Sequence, residues 1–173
     1  MSLAARVYRC AHLTGQFRLR SGAVSTEYFD KYRFEAEPAL LRELAGALVP
    51  LVPAGTELLA GLELGGVPLA TMLSQLTGLP ARFVRKAAKA YGTCQLAEGG
   101  DLAGRRVLVV EDVVTSGGQV VISTGQLRAA GALVTAAVCV IDRQAGGREA
   151  LAEAGVELSA LFTRSDLEAA ARA

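Results

Sequence analysis

Two adjacent carboxylates, Glu111 and Asp112, stand at the end of the apolar run 107–110, and Thr115-Ser116-Gly117-Gly118 follows. Neighbouring carboxylates are costly to bury without partners, so both are expected to face solvent or a polar ligand. Hydroxyls and backbone N–H groups at the start of a helix make an anion site, and glycine lets the backbone come close to it. One short segment thus offers acceptors for hydroxyls beside donors for a phosphate, as a sugar phosphate requires. An ordinary strand–turn–helix junction would use the same residue types. The phosphate loop of nucleotide triphosphatases does not fit, because Gly118 is followed by Gln119 rather than lysine.

A second group is cationic. Arg85, Lys86 and Lys89 open a long polar stretch, 86–105, that contains Gly92, Gly99 and Gly100. Alone, such a run is best explained as a solvated face. Its place directly after an apolar strand pattern favours a role in binding anions.

The elements that must position these groups follow from periodicity. A helix is expected over 35–48, with Pro38 in its first turn and Leu40, Leu41, Leu44 and Leu48 on one face. Strand patterns cover 57–61, 81–85, 106–110, 133–141 and 157–162, and helical patterns cover 67–76, 120–130 and 147–154. A last helix begins near Ser165, with Glu168 at the reciprocal position of a capping box. Residues 2–34 read as irregular. Strands alternating with helices imply a mostly parallel sheet covered on both faces, with ligands at the carboxyl ends of its strands. That rule draws together the connections 62–67, 86–105, 111–119 and 142–147.

Composition narrows the classes. With 173 residues, 51% apolar and 20% charged, the chain can build a sizeable core. A net charge of +1 argues against a broad nucleic-acid-binding surface. Cys10, Cys94 and Cys139 are far apart, and His12 is the single histidine, so neither a disulfide framework nor a zinc site is expected. His12 reads as a surface or packing residue. No secretory leader and no membrane-spanning run is recognisable, and a cytoplasmic protein is expected.

The segment VLVVEDVVTSGGQ, 107–119, resembles the signature of type I phosphoribosyltransferases. The resemblance implies that Glu111 and Asp112 hold the ribose hydroxyls of phosphoribosyl pyrophosphate (PRPP). It also implies that Val113, Val114, Thr115, Ser116, Gly117, Gly118 and Gln119 form the loop around its 5-phosphate. FVRKAAKAYGT, 83–93, is similar to the catalytic-loop motif of orotate phosphoribosyltransferases. It implies that Arg85, Lys86, Lys89 and Tyr91 meet PRPP, with Lys86 and Lys89, beside Asp112, as catalytic residues. Tyr91 stands where that family usually carries histidine. With a pKa of about 10, tyrosine remains a neutral donor and adds no charge.

Three further stretches extend the resemblance. FRLRSGAVSTEYFDKY, 17–32, is similar to the family's N-terminal hood, with Arg20 in place of a lysine and with Tyr28 and Phe29 over the base. GLELGGVPLA, 61–70, is similar to the loop that bends around pyrophosphate; Gly65-Gly66 would allow backbone approach, and the lysine some members carry there is absent. In VIDRQAGG, 140–147, Arg143 matches the arginine that binds orotate, with Thr115 nearby. An arginine fork suits the carboxylate that distinguishes orotate from uracil. The same arginine could instead pair with an acid near Asp142 or with Glu149.

The resemblance spans about residues 15–165 and implies an α/β type I phosphoribosyltransferase fold. Its expected form is a parallel five-stranded sheet flanked by helices, one domain over 1–173 with a small hood at 1–35. The implied activity is that of an orotate phosphoribosyltransferase. The implied cofactor is Mg²⁺, carried mainly by PRPP with no direct protein ligand. A homodimer is implied, its lid shared between subunits, with no nucleic-acid or membrane partner. Two other readings stay open: a phosphoribosyltransferase for a purine or uracil, and a non-catalytic regulator that senses PRPP.

Overall fold

The computed structural model describes residues 1–18, 22, 24–87 and 96–172. The N-terminal segment is ordered into elements where irregular structure was expected. Helix α1 (Leu3–Ala11) is capped by Ser2, whose hydroxyl accepts the Ala5 N–H at 3.3 Å. Strands β1 (His12–Arg18) and β2 (Val24–Phe29) then form an antiparallel ribbon. Most ribbon residues are exposed, so no alternating apolar pattern announces it.

Helix α2 (Tyr32–Ala36) and helix α3 (Pro38–Leu48) replace the single expected helix over 35–48. They part at Glu37, whose ψ of 108° lies outside the helical region. The following Pro38 disfavours the helical conformation there.

The main sheet contains β3 (Leu58–Leu62), β4 (Ala81–Val84), β5 (Ala97–Glu98), β6 (Arg106–Val114), β7 (Leu133–Asp142) and β8 (Glu157–Thr163). Their spatial order is β5-β4-β3-β6-β7-β8. Five strands are parallel, as expected. The sixth, the two-residue β5, runs antiparallel to β4 at the edge, pairing Phe83 with Glu98 and Val84 with Ala97.

Helices α4 (Gly66–Thr77), α5 (Gly118–Ala129), α6 (Gly147–Glu153) and α7 (Arg164–Arg172) complete the fold. One face of the sheet packs Val107 and Val109 with Leu127 of α5 and Leu151 of α6. The other packs Leu108 and Val110 with Val7, Leu44, Leu73 and Leu167 from α1, α3, α4 and α7. Covering on both faces explains the unbroken apolar run in β6. Thr163, rather than Ser165, begins the last helix in a reciprocal cap. Its N–H donates to Asp166 Oδ2 at 2.8 Å, and the Asp166 N–H donates to Thr163 Oγ1 at 3.1 Å. Ser165 instead donates its hydroxyl to Gln144 Oε1 at 2.7 Å.

The chain leaves β3 for β4 on one side and reaches β6 on the other. The crevice between the carboxyl ends of β3 and β6 is therefore the topological switch point, where open α/β sheets bind ligands.

Candidate active site

Strand β6 runs on through the acidic pair, which lies inside the strand and not after it. Glu111 pairs with Cys139 of β7, and Val113 and Val114 pair with Ile141 and Asp142. Successive side chains leave a strand on opposite faces. Glu111 accordingly lines a cleft of about 380 Å³ with Glu63, Lys86 and the start of α5, while Asp112 turns toward α2.

Of the two carboxylates expected to face solvent or a polar ligand, Glu111, 8% exposed, lines the cleft, whereas Asp112 is 0% exposed and turns to Lys31. The structure meets the cost of burial with partners. Lys31 Nζ lies 2.6 Å from Asp112 Oδ2, and the Val113 N–H donates to Asp112 Oδ1 at 2.6 Å. The Asp112 N–H donates to Glu111 Oε1 at 3.2 Å. Glu35, buried on α2, completes the group.

The protons distribute accordingly. Burial, then the hydrogen bond to Asp112 and its charge, push Glu35 and Glu111 up to about 9. Burial also works to raise Asp112, but hydrogen bonds with Glu111, Glu35 and Lys31 outweigh it and hold Asp112 below its ordinary value. Burial would lower Lys31; the hydrogen bond and charge of Asp112 reverse that, and its pKa rises. Near neutral pH the cluster thus carries one cation, Lys31, and one anion, Asp112. With a proton, Glu35 becomes a donor to Asp112; without one, its Oε1 would lack a donor among the described residues.

Gly65 and Gly66 make this packing possible. A Cβ on Gly65 would overlap Asp112 Oδ2 and come within 2.7 Å of Glu35 Oε1, and one on Gly66 would overlap the Val110 carbonyl. The two glycines let the β3–α4 turn lie against β6. The same loop reaches β4, where the Lys86 N–H donates to Glu63 Oε1 at 2.8 Å.

The phosphate-type loop has the expected form. Gly117 takes a left-handed φ of 75° and precedes α5, whose first turn has no side-chain cap. A Cβ at Gly117 would come within 2.6 Å of Leu151 Cδ1. Thr115, Ser116, Gly118 and Gln119 are exposed, so hydroxyls and free N–H groups face the cleft. The Gln119 amide bends back to Ser123 Oγ at 3.2 Å.

A second cavity, of about 220 Å³, lies between the N-terminal ribbon and the end of β7. Tyr28, Phe29 and Arg143 all line it. Arg143 Cζ is 5.8 Å from the Phe29 ring centroid. Among the described residues no carboxylate pairs with Arg143: Asp142 pairs with Arg148 at 3.4 Å, and Glu168 with Arg164 at 2.6 Å. Burial and the neighbouring Arg164 press its pKa below the ordinary value, while Glu168 opposes them. His12 also lines this cavity, stacked on Tyr8 at 4.7 Å and 3.5 Å from Glu27 Oε2. The Arg143 N–H donates to the Val114 carbonyl at 2.9 Å, joining the walls of the two cavities.

Not every expected residue gathers here. Arg85 turns to β5, its Nε 3.3 Å from Glu98 Oε1. Arg20, Lys89 and Tyr91 lie outside the described residues. Lys31 was not foreseen. The one sequence signal for it is scarcity: the chain has three lysines, Lys31, Lys86 and Lys89, and its other basic residues are arginines. Among the described residues no group of three His, Cys, Asp or Glu side chains is set to hold a metal ion, and no helix is long and apolar enough to cross a membrane.

Comparison with known proteins agrees with this geometry. Residues 33–156 match the model of the phosphoribosyl transferase domain. The orotate phosphoribosyltransferase of Nocardioides sp. is 58% identical over 99% of this chain and 96% of its own length. The crystal structure of the Mycobacterium tuberculosis orotate phosphoribosyltransferase with Fe(III) dicitrate superposes with a TM-score of 0.86 at 32% identity, covering 95% of this chain and 96% of that one. The same enzyme in complex with PRPP gives a TM-score of 0.81 at 28% identity, with 96% of each chain covered. Sheet order, switch-point cleft and phosphate-type loop together define a type I phosphoribosyltransferase. Within that class, the chain belongs to the orotate phosphoribosyltransferase family.

Proposed function

We propose that this protein transfers the phosphoribosyl group of PRPP to orotate, giving orotidine 5′-monophosphate and pyrophosphate, a step of pyrimidine nucleotide synthesis. The observation that carries the reading is the junction of two sites. Val114 lines the switch-point cleft, and Arg143, whose N–H donates to the Val114 carbonyl, lines the second cavity together with Phe29. A sugar phosphate in the first places its reacting carbon toward a base in the second.

The roles follow from chemistry. Residues 113–119 anchor the 5-phosphate through the free N–H groups of α5 and the hydroxyls of Thr115 and Ser116. That remote binding energy positions the reacting carbon. Glu111 and Asp112 serve the ribose. Asp112, the ionised member, favours the cationic character the ring gains as the pyrophosphate bond loosens. Lys86 and Lys89 take up the charge that builds on the leaving pyrophosphate, with Tyr91 as a neutral donor. Arg85 joins them by exchanging Glu98 for an anionic oxygen. Arg143 takes the orotate carboxylate, with Thr115 beside the base, Tyr28 and Phe29 over it and Arg20 at its edge.

Mg²⁺ suits oxygen ligands and polyphosphate. It would ride on the oxygens of PRPP and neutralise part of their charge, the chain supplying no cage of its own among the described residues. The chain reads as one domain, 1–173, with residues 1–35 as hood. Residues 86–105 serve as a lid shared across a homodimer in the cytoplasm.

The test is the ultraviolet change of orotate mixed with protein, Mg²⁺ and PRPP, beside runs with uracil, hypoxanthine and adenine. Consumption of orotate alone is expected. Consumption of a different base would keep the sugar-phosphate site and discard the role of Arg143. PRPP binding with no turnover of any base would make the protein a sensor.

A further inference from the structure

Asp112 is fully buried, yet the residue that balances its charge comes from a distant part of the chain. Lys31 sits between β2 and α2 and reaches β6, where Nζ meets Oδ2 at 2.6 Å. The Lys31 side chain is 32% exposed and lines the same cleft as Glu63, Lys86 and Glu111. It therefore stands between the buried carboxylate and the space the sugar would fill.

Two links run from this contact. Lys31 follows Phe29 by two residues, so it ties the strand that covers the second cavity to the floor of the first. Asp112 is also gripped from behind. Its Oδ1 accepts the Val113 N–H, Gly65 presses on its Oδ2, and Glu35 lies on the same side. A carboxylate held this way has one orientation, and the ammonium is the only cation against it among the described residues. Without that cation the carboxylate keeps only neutral donors, the Val113 N–H with Glu35 and Glu111, and a buried charge with no opposite charge beside it is less firmly held in its ionised, oriented form.

We propose that Lys31 is a positioning residue for phosphoribosyl transfer: it holds Asp112 as an oriented anion at the ribose end of the cleft and docks the hood onto β6, so that the base and ribose sites keep one spacing. The inference rests on reading the cleft as the PRPP site. Lys31 acts through Asp112, and no step of bond making passes through its own nitrogen. The scarcity of lysine agrees with the assignment, since the other two lysines, Lys86 and Lys89, fall on the segment read as contacting pyrophosphate.

The experiment is a double-mutant cycle. Lys31→Met and Lys31→Gln are made in the wild type and in Asp112→Asn, and kcat/KM for PRPP is measured with orotate and Mg²⁺. Equilibrium binding of PRPP and of pyrophosphate is measured on the same proteins. Each Lys31 variant is expected to lose about a hundredfold in kcat/KM in the wild type. In the Asp112→Asn background the further loss is expected to be about threefold or less, because the charge to be balanced is gone. Pyrophosphate binding should stay within about twofold while PRPP binding weakens, since only PRPP carries the ribose. Lys31→Arg should recover about tenfold, keeping the charge in a different shape.

Equal losses in both backgrounds, or equal weakening of PRPP and pyrophosphate, would overturn the role of Lys31 in favour of general support of the fold. Wild-type rates in the Lys31 variants would overturn it outright. Failure of the wild type itself to consume orotate would instead overturn the functional reading.

Discussion

The guanidinium of Arg143 lies over the ring of Phe29, 5.8 Å from its centroid, and this contact joins the end of β7 to the N-terminal ribbon. The arginine has no carboxylate partner among the described residues and so stays available to an anion. If Arg143 binds orotate as proposed, removing its side chain takes away a charged contact to the base without touching the phosphate-type loop. Arg143→Ala is expected to lower kcat/KM for orotate by about ten- to a hundredfold, the scale of a hydrogen bond to a charged group. PRPP binding, measured by titration, should stay within about twofold. Arg143→Lys should rescue poorly, since an ammonium cannot reproduce the fork. Equal loss of orotate use and PRPP binding would end the specificity assignment.

Gly65 has no room for a side chain. Its Cβ would overlap Asp112 Oδ2 and crowd Glu35 Oε1, both buried. Gly65→Ala is expected to lower the melting temperature by about 3–10 °C, from an overpacking cost of about 1–3 kcal/mol. It should also weaken PRPP binding, because the carboxylate must move. Gly46, inside α3 with nothing within 4 Å of a Cβ, is the control. Gly46→Ala should leave both properties intact or raise stability slightly. Matching melts for the two variants would refute the packing account.

The neutral glutamates make stability depend on pH. Glu35 and Glu111 titrate near 9 in the folded chain against an ordinary 4.5, chiefly because they are buried beside Asp112. Between those values the folded state binds more protons than the unfolded one, so stability falls as pH rises. Their contribution is complete below about 4.5 and lost as pH climbs through about 9. Asp112 acts in the opposite sense, its contribution being lost only as pH falls below the ordinary aspartate range. The ligand-free protein is expected to melt at progressively lower temperature from pH 5 to pH 9, in the direction set by the raised glutamates. Glu35→Gln, which cannot ionise, should flatten that slope. Identical slopes in melting curves of the two proteins would count against a protonated Glu35.

Tyr91 lies outside the described residues, and the resemblance of 83–93 to the catalytic-loop motif puts it where a histidine is expected. Tyr91→His is expected to raise turnover, and more at pH 6 than at pH 8, because imidazole is cationic below about 6.5. Unchanged turnover at both values would mean that the tyrosine serves fully as a neutral donor.

Much of the architecture is legible in the residue order, because it depends on local patterns. The five parallel strands and the helices between them follow from apolar periodicity, and the phosphate-type loop follows from Thr115-Ser116-Gly117-Gly118 ahead of a helix pattern. Elements without a strong period were missed: the exposed β1–β2 ribbon, the two-residue β5 and the extension of β6 through Asp112. The helix cap lay two residues from its expected place because Thr163 and Ser165 are both competent caps, and Gln144, brought close only by folding, captures Ser165.

What the residue order determines by itself is which groups are available and which neighbours share a loop. Glu111 with Asp112, the small-residue loop, and Arg143 after an apolar strand all belong to that part. The tertiary structure decides which charges meet. Lys31 and Asp112, far apart along the chain, stand 2.6 Å apart; burial first of all keeps the protons on Glu35 and Glu111, and hydrogen bonds with those two glutamates and with Lys31 keep Asp112 ionised. The physical reason is that burial makes any lone charge expensive. The protonation state of each carboxylate is therefore set by what packs against it, and chain order does not record that.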